Sequence, residues 1–140
     1  MNVDSIRDGV VIDHITAGRA MTLYNLLALS ECDGSVAVLM NVPSKKLGRK
    51  DIIKIDAEMP IDTAVVGYAD PGATVNIIRA GELAEKMTMA LPDELHGVIK
   101  CKNPRCISST EQELEQIFRL TDRQSGTYRC IYCETKYSGK

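Results

Sequence analysis

Four cysteines near the end of the chain form two close pairs, Cys101 with Cys106 and Cys130 with Cys133. Each pair lies on a short segment that can point two sulfurs at one ion, and the interval between the pairs is long enough for strands to bring the two turns together. Four thiolates complete a tetrahedral site, and no further Cys, His or carboxylate stands at ligand spacing. The spacing therefore predicts one structural Zn²⁺ per chain, with no open position for catalysis.

The short length of the surrounding segment favours a metal over other uses of these cysteines. Residues 97–140 are close to the length of about 40 residues below which a chain usually needs a metal or a disulfide to fold alone. Structural zinc contributes about 10 to 16 kcal/mol in small modules of this kind. Disulfides remain an alternative if the chain is secreted, and a redox Cys-x-x-Cys would leave the first pair unexplained. Cys32, at the end of a predicted helix, is interpreted as an ordinary thiol.

A second set of polar side chains is spread over the earlier part of the chain. It consists of Asp13, His14, Lys50, Lys54, Asn76 and Lys86. A carboxylate for a ribose diol, together with amines for phosphates, is what an anionic nucleotide requires. Each residue also has an ordinary interpretation, because a lysine on an alternating strand usually lies on a solvated face. No Gly-rich phosphate loop, Walker motif or triad motif occurs, so catalysis is not indicated.

Hydrophobic periodicity predicts the elements that position these side chains. Residues 9–15 form a β-rich run, followed by Thr16 as a candidate N-cap of a helix. That helix is expected to end near residues 33–34, and its apolar face contains Ala20, Leu23, Tyr24 and Leu27. The nearly continuous apolar run 36–42 predicts a central strand buried on both faces.

The later elements complete a recognisable order. Residues 50–56 alternate between polar and apolar faces, which predicts a half-exposed strand. Residues 61–69 predict a helix capped by Asp62, and a strand at 73–79 is followed by a turn into a further segment at 83–89. The order is βαββαβ with an extra strand, which is typical of a ferredoxin-like sheet with helices on one face. The predicted fold class is α+β, with this domain followed by a small zinc-bound antiparallel β domain.

Charge and composition divide the chain and exclude several classes of protein. Residues 1–96 carry 9 of the 17 basic and 14 of the 19 acidic side chains, whereas residues 97–140 have a basic excess. The linker-like segment Leu91-Pro92-Asp93 separates the halves, so domains are placed at 1–93 and 97–140. A net charge of −2 disfavours nucleic-acid binding. The lack of a long apolar segment or a signal-peptide pattern favours a cytoplasmic protein that does not associate with membranes.

Several motifs occur in an order that points to a family. They are GVVIDHI at residues 9–15, GRKDIIKI at 48–55, ATVN at 73–76 and the two cysteine pairs. Over nearly its whole length the chain resembles the regulatory chain of aspartate carbamoyltransferase. The resemblance implies a non-catalytic subunit of pyrimidine biosynthesis that binds CTP, UTP and ATP as allosteric effectors in the domain at 1–93. It also implies docking on the catalytic chain through the zinc domain at 97–140.

The resemblance further implies the roles of single residues. Asp13 is expected to bind ribose hydroxyls, Lys54 the ribose and a base carbonyl, and a phosphate group is implied at His14, Lys50 and Lys86. Further pocket residues are implied at Ile6, Val11, Asn76, Ile78 and Leu83. In the first cysteine turn, Asn103 matches a polar contact with the catalytic chain, and Arg105 stands where another Asn is common. Regulatory chains of this family pair through their first domains, and Gly81 replaces an aromatic residue that family members can carry beside the base.

Two other functions remain open from the sequence. A free-standing zinc ribbon could bind nucleic acid through the basic excess of residues 97–140, although four thiolates and one Zn²⁺ reduce that excess to about +1. A small-molecule sensor unrelated to carbamoyltransferases would share the first domain. Copurification of a catalytic chain distinguishes the sensor from the regulatory subunit.

Overall fold

A computed structural model describes residues 6–111 and 113–137, and the chain divides between Ala90 and Leu91 into two compact units. The first unit contains β1 (Gly9–Thr16), α1 (Ala20–Leu26), β2 (Ser35–Ser44), β3 (Gly48–Asp56), α2 (Thr63–Ala69), β4 (Thr74–Arg79) and β5 (Glu82–Thr88). Its five strands form an antiparallel sheet in the order β2-β3-β1-β4-β5. The predicted ferredoxin-like order with an extra strand is confirmed, and the extra strand is β5 at one edge.

The hydrophobic core of the first unit lies on one face of this sheet. Because side chains alternate along a strand, Val10 and Ile12 of β1 point to the same side as Ile53 and Ile55 of β3. The predicted apolar face of α1 packs here, with Ala20 and Leu23 buried and Tyr24 and Leu27 packed against them; Val66 of α2 and Val75 of β4 complete the layer. The other face of the sheet carries both polar and apolar side chains, among them Lys54, Asn76 and Val11.

The start of α1 differs from the prediction. Arg19, and not Thr16, occupies the N-cap position, and its side chain makes no capping hydrogen bond. The carboxylate of Asp51 takes that role from β3, since it accepts hydrogen bonds from the backbone N–H of Gly18 at 2.9 Å and of Ala20 at 3.2 Å. A cap supplied by a distant strand leaves no local signal in the sequence.

The end of α1 also differs. The helix stops at Leu26, well before residues 33–34, and a 3-10 turn follows at Leu29–Glu31. Ala28 lies between them with a φ of 52°, a left-handed conformation that interrupts the α-helical hydrogen bonds.

The prediction of a central, doubly buried strand at residues 36–42 is wrong. β2 lies at the edge of the sheet, and none of its residues is fully buried. Met40 is 56% exposed, and β3 is the one strand that pairs with β2 within the described residues. An apolar run indicates that a strand is shielded from water, but it does not indicate whether this chain or another chain shields it.

The alternation of β3 is confirmed, and a bulge in each neighbouring strand lies next to it. Asp51, Ile53 and Ile55 are buried, whereas Ile52 and Lys54 are half-buried. The register shifts between Ile12 and Ile15 in β1 and between Leu39 and Val42 in β2. Each bulge contains a non-glycine residue with positive φ, namely His14 at 57° and Asn41 at 61°.

The predicted α2 is confirmed with its cap. Asp62 is the N-cap, and its side chain accepts a hydrogen bond from the backbone N–H of Ala64 at 3.0 Å. The helix ends at Ala69, and the buried Asp70 follows it. The Asp70 carboxylate accepts hydrogen bonds from the N–H groups of Thr16 and Gly72, which ties the end of β1 to the turn before β4.

The second unit is a small antiparallel β structure, as predicted. It contains β6 (Glu94–His96), α3 (Ile107–Thr110), β7 (Ile117–Asp122) and β8 (Thr127–Cys130), with strand order β6-β7-β8. Leu95, Phe118 and Tyr128 are its buried side chains of largest size. Tyr128 donates a hydrogen bond to the carbonyl of Pro92 at 2.6 Å, so the segment around Pro92 is held within this unit. No helix in the described part of the chain is long and apolar enough to span a bilayer.

Candidate metal centre and effector-binding face

The four paired cysteines converge in the second unit. Cys106 immediately precedes α3, Cys130 ends β8, and the other two lie in the adjacent turns. All four sulfurs lie within 4.8 Å of one another. The Sγ atoms of Cys101 and Cys133 are 3.7 Å apart, and those of Cys106 and Cys130 are 3.6 Å apart. Each close pair in space therefore takes one sulfur from each turn.

These separations fit a tetrahedral metal site. Metal–sulfur bonds of about 2.3 Å at tetrahedral angles place sulfurs about 3.8 Å apart. A disulfide bond would instead require about 2.05 Å, and all four thiols are free. Cys106 and Cys130 are buried, while Cys101 and Cys133 are partly exposed. One side of the four-sulfur cluster is therefore covered by protein, and the other side is close to solvent. The donor set suits a soft, tetrahedral metal ion.

The thiols differ in acidity. Burial raises the pKa of Cys101 to about 12, and the neighbouring sulfurs of Cys133 and Cys130 act in the same direction. The hydrogen bond with Thr135 is the main cause that lowers the pKa of Cys133 to about 6. A metal ion bound here has to displace the protons that remain on the sulfurs, so binding is coupled to proton release.

The open face of the five-stranded sheet carries a row of side chains that the sequence placed in a nucleotide site. The strand register pairs Lys54 with Val11, Val11 with Asn76, and Asn76 with Lys86. Val11 lies between the buried Val10 and Ile12, so this row points away from the core. Four predicted residues from four strands thus meet on one face.

Two further predicted residues form an ion pair beside this row. Nζ of Lys50 lies 3.0 Å from Oδ1 of Asp13. Burial raises the pKa of Asp13, but hydrogen bonds from Lys50 and from the backbone N–H of His14 outweigh it and hold the pKa below its ordinary value. The His14 ring lies 3.2 Å from Oγ1 of Thr74, a contact that the sequence did not suggest. Asp13 is therefore ionised at neutral pH.

The remaining predicted residues extend the same face toward the start of β1. Ile78 of β4 pairs with Leu83 of β5, and Ile6 is buried next to Gly9. A cavity of about 600 Å³ lies elsewhere in the first unit, against Met59, Ile77 and Met87. Of the predicted set it includes only Ile78 among its lining residues, so the predicted site is an open surface and not this cavity.

Comparison with known proteins decides the family. The family profile described as "Aspartate carbamoyltransferase regulatory chain, allosteric domain" matches residues 1–90. The profile described as "Aspartate carbamoyltransferase regulatory chain, metal binding domain" matches residues 93–140. The chain belongs to the aspartate carbamoyltransferase regulatory chain family.

Relatives from three bacteria show the same correspondence over full length. The aspartate carbamoyltransferase regulatory chain of Clostridium botulinum is 47% identical over 139 residues, which are 99% of this chain and 95% of that protein. The regulatory chain of Clostridium tetani is 46% identical over 138 residues, 98% of this chain and 96% of that one. The regulatory chain of Bifidobacterium longum is 40% identical over 134 residues, 96% of each. A regulatory chain is a non-catalytic subunit, so the partner that family membership assigns is the catalytic chain of aspartate carbamoyltransferase.

In this regulatory chain, the two residues predicted to face the catalytic chain lie in the first cysteine turn. Oδ1 of Asn103 accepts a hydrogen bond from the backbone N–H of Arg105 at 3.0 Å, and its amide nitrogen donates to Thr135 at 3.3 Å. Asn103 therefore holds the cysteine turn in shape, whereas the Arg105 side chain is exposed. The positive charge of Arg105 therefore lies on the surface, on a turn whose backbone is held by the hydrogen bonds of Asn103.

Several residues around the sites were missed from the sequence. Ser108 and Thr135 each place a hydroxyl beside cysteine sulfur, at 3.0 Å from Cys106 and 3.2 Å from Cys133. Each follows the second cysteine of a pair by two positions, which is a signal that spacing could have revealed. Asp51 lies within the alternating strand 50–56, but its three bonds to backbone N–H groups depend on contacts between distant segments.

Proposed function

We propose that this regulatory chain binds CTP or UTP, and ATP, on the open face of its five-stranded sheet and passes their effect to the catalytic chain. The observation that carries the proposal is the row Lys54, Val11, Asn76 and Lys86, which the strand register brings together. Amines on two different strands, with an amide between them, suit a ligand that has phosphates at one end and hydroxyls or carbonyls at the other.

The phosphate end of the ligand is assigned to the Lys86 end of the row. Lys86 is exposed on the edge strand β5, where its amine can reach a triphosphate without being desolvated first. Lys50 and His14 are assigned to the same anionic group. The net charge of the chain is −2, so these local amines, and not a general basic surface, supply the attraction.

The nucleoside end is assigned to Asp13 and Lys54. A carboxylate accepts hydrogen bonds from both hydroxyls of a ribose, and an amine donates to a base carbonyl. Gly81 lies in the turn between β4 and β5 with a φ of 77° and brings no ring to stack on the base. Selection between CTP, UTP and ATP therefore depends on polar contacts with the base edge.

The metal is proposed to be one structural Zn²⁺, held by Cys101, Cys106, Cys130 and Cys133. Zinc accepts four thiolates at the separations found here and takes no part in redox chemistry. When bound, it supplies folding energy to a unit with few buried side chains. All four positions are filled by protein sulfur, so no position remains for a substrate.

Docking on the catalytic chain is assigned to the domain at residues 97–140. Two large apolar side chains are exposed next to its cysteines, Ile107 at 54% and Tyr132 at 36%. Exposed apolar side chains beside a fixed turn are typical of a contact surface. Asn103 and Arg105 belong to the same surface, and metal binding organises it by holding the two turns together.

Self-association is assigned to the edge strand β2 of the first domain, residues 1–93. Its outer side has no strand partner within the described residues, and it carries the apolar run 36–42. A second copy that adds its own edge strand would satisfy the backbone groups and cover Met40 and its neighbours. The assembled complex would act in pyrimidine biosynthesis in the cytoplasm, where thiols remain reduced for the metal.

One reconstitution tests the proposed function. The zinc-loaded chain is mixed with catalytic trimers, assembly is followed by sedimentation, and CTP, UTP and ATP are titrated by calorimetry and by activity. Assembly together with an activity that responds to nucleotides is expected. Assembly without nucleotide binding would contradict the effector assignment, and nucleotide binding without assembly would contradict the docking assignment.

A further inference from the structure

The cysteine quartet is supported by side chains that are not themselves ligands. Ser108 of α3 is 5% exposed, and its Oγ lies 3.0 Å from Sγ of Cys106 and 4.0 Å from Sγ of Cys130. Gln116, just before β7, accepts a hydrogen bond from the backbone N–H of Cys101 at 2.8 Å. Its amide nitrogen donates to the carbonyl of Ser108, also at 2.8 Å. Two side chains thus reach three of the four cysteines.

The hydroxyl of Ser108 has a defined direction when a metal is bound. Metal-bound cysteines are thiolates and can only accept, so the single hydroxyl proton is donated to sulfur. The shorter contact selects Cys106 as the acceptor. Because both groups are buried, water does not compete for this bond. Such a bond withdraws charge from the sulfur and fixes its position.

Gln116 acts on the backbone and not on sulfur. Its two hydrogen bonds link the first cysteine turn to α3, alongside the bonds of the Ser109 hydroxyl to the carbonyls of Cys101 and Asn103. An amide from outside the two cysteine turns therefore contributes to the distance between Cys101 and Cys106.

We propose that Ser108 and Gln116 are positioning residues of the metal centre, with separate tasks. Ser108 lowers the electron donation of the Cys106 thiolate through its hydroxyl, and Gln116 holds the two parts of the ligand set at the correct separation. The inference rests on the proposed zinc site.

The experiment uses the full chain and three variants, Ser108→Ala, Gln116→Leu and Thr110→Ala. Thr110 is the matched control because its hydroxyl bonds to the carbonyl of Ile107 in the same helix at 3.2 Å, and not to sulfur or to the first cysteine turn. Zinc affinity is measured by competition with a chelator. The sulfur-to-metal charge-transfer band is measured after replacement of zinc by Co²⁺, and its energy reports the electron donation of the thiolates.

The two tasks predict different results. Ser108→Ala should lower zinc affinity about 10- to 100-fold, as loss of groups that orient metal ligands does, and should move the Co²⁺ band to lower energy. Gln116→Leu should lower the affinity by a similar factor and leave the band in place. Thr110→Ala should change neither. Ser108→Thr, which keeps a hydroxyl, should retain the wild-type band.

The possible failures are separable. A wild-type chain that binds no metal would overturn the proposed zinc site itself. A wild-type chain with one metal, together with an unshifted band in Ser108→Ala or a shifted band in Ser108→Thr, would overturn the role of Ser108. Unchanged affinity in Gln116→Leu would overturn that of Gln116.

Discussion

Lys50 and Asp13 form an ion pair between neighbouring strands of the sheet, with Nζ 3.0 Å from Oδ1 and side chains that are only 17% and 23% exposed. The pair lies at the β1 bulge, where the backbone N–H of His14 also donates to Asp13 at 2.6 Å. In the absence of ligand the two charges therefore neutralise each other. A nucleotide whose phosphate binds Lys50 and whose ribose binds Asp13 has to break this ion pair and replace it with its own contacts.

The pH dependence of stability is expected to reflect this ion pair. The pKa of Asp13 is lowered from its ordinary value of 3.8, so its contribution to folding is complete above that value and is lost as the pH falls through the lower folded pKa. Asp13→Asn should reduce the free energy of unfolding at pH 7 by up to about 1 kcal/mol, and the difference should shrink progressively as the pH falls below 3.8. Urea titrations across this range measure it, with the exposed Asp56→Asn as control. A difference that does not change with pH would contradict the assignment.

Lys86→Ala and Lys54→Ala should weaken nucleotide binding in different ways. Loss of a hydrogen bond to a charged group costs about 1.5 to 3 kcal/mol, so Lys86→Ala should lower the affinity for triphosphates about 10- to 100-fold. Lys54→Ala should weaken the binding of a nucleoside nearly as much as that of a triphosphate. Calorimetry with CTP, ATP and their nucleosides separates the two roles, and Lys46→Ala in the turn after β2 is the control. If both variants bind nucleotides with wild-type affinity, the nucleotide site does not lie on this face of the sheet.

These lysine variants should also change regulation without changing basal catalysis. An effector acts through its different affinity for two states of the assembly, so removal of a contact with the effector leaves the unliganded rate largely unchanged. The response of the reconstituted holoenzyme to CTP and ATP should become flatter. A large change in the unliganded rate would indicate that these lysines act on the assembly itself.

Metal analysis should find one zinc per chain. Cys32→Ser should keep the metal, because Cys32 belongs to the first unit and is not among the four converging sulfurs. Chelation should unfold the second unit and abolish attachment to catalytic trimers, while the circular dichroism of the five-stranded sheet is retained. Less than half an equivalent of zinc, or full assembly after chelation, would contradict the assignment.

Asp51→Ala should destabilise the first unit strongly. The buried carboxylate accepts from the N–H groups of Gly18, Ala20 and Asn41, and truncation leaves these donors without it. The free energy of unfolding should fall by at least about 2 kcal/mol in urea titrations. Asp56→Ala, at the exposed end of the same strand, should stay within about 0.5 kcal/mol of wild type. Equal effects in the two variants would exclude the role of Asp51.

The fold was predictable where local pattern and tertiary position agree. The alternation of β3 and the Asp62 cap of α2 depend on residues close in sequence, and both were predicted correctly. The edge position of β2 was not predicted. Apolar residues indicate that a strand is buried, but they do not indicate which neighbour buries it. Thr16 failed as a cap for a related reason, since Asp51 reaches α1 from another strand.

The candidate sites also combine features that local sequence predicts with features that depend on contacts between distant residues. The cysteine spacing was sufficient to predict a cluster, because each pair is a local feature. The contacts of Ser108 with Cys130 and of His14 with Thr74 join residues from different elements, so they required the structure.

The carboxylate of Asp51 has one more consequence, for the way in which a bound effector can act. It fastens the start of α1 and the β2 bulge to β3 at a single buried point. A ligand that pushes on β1 or β3 must carry the helix and the edge strand with it. We therefore expect a bound effector to displace α1, β2 and β3 together and not one at a time.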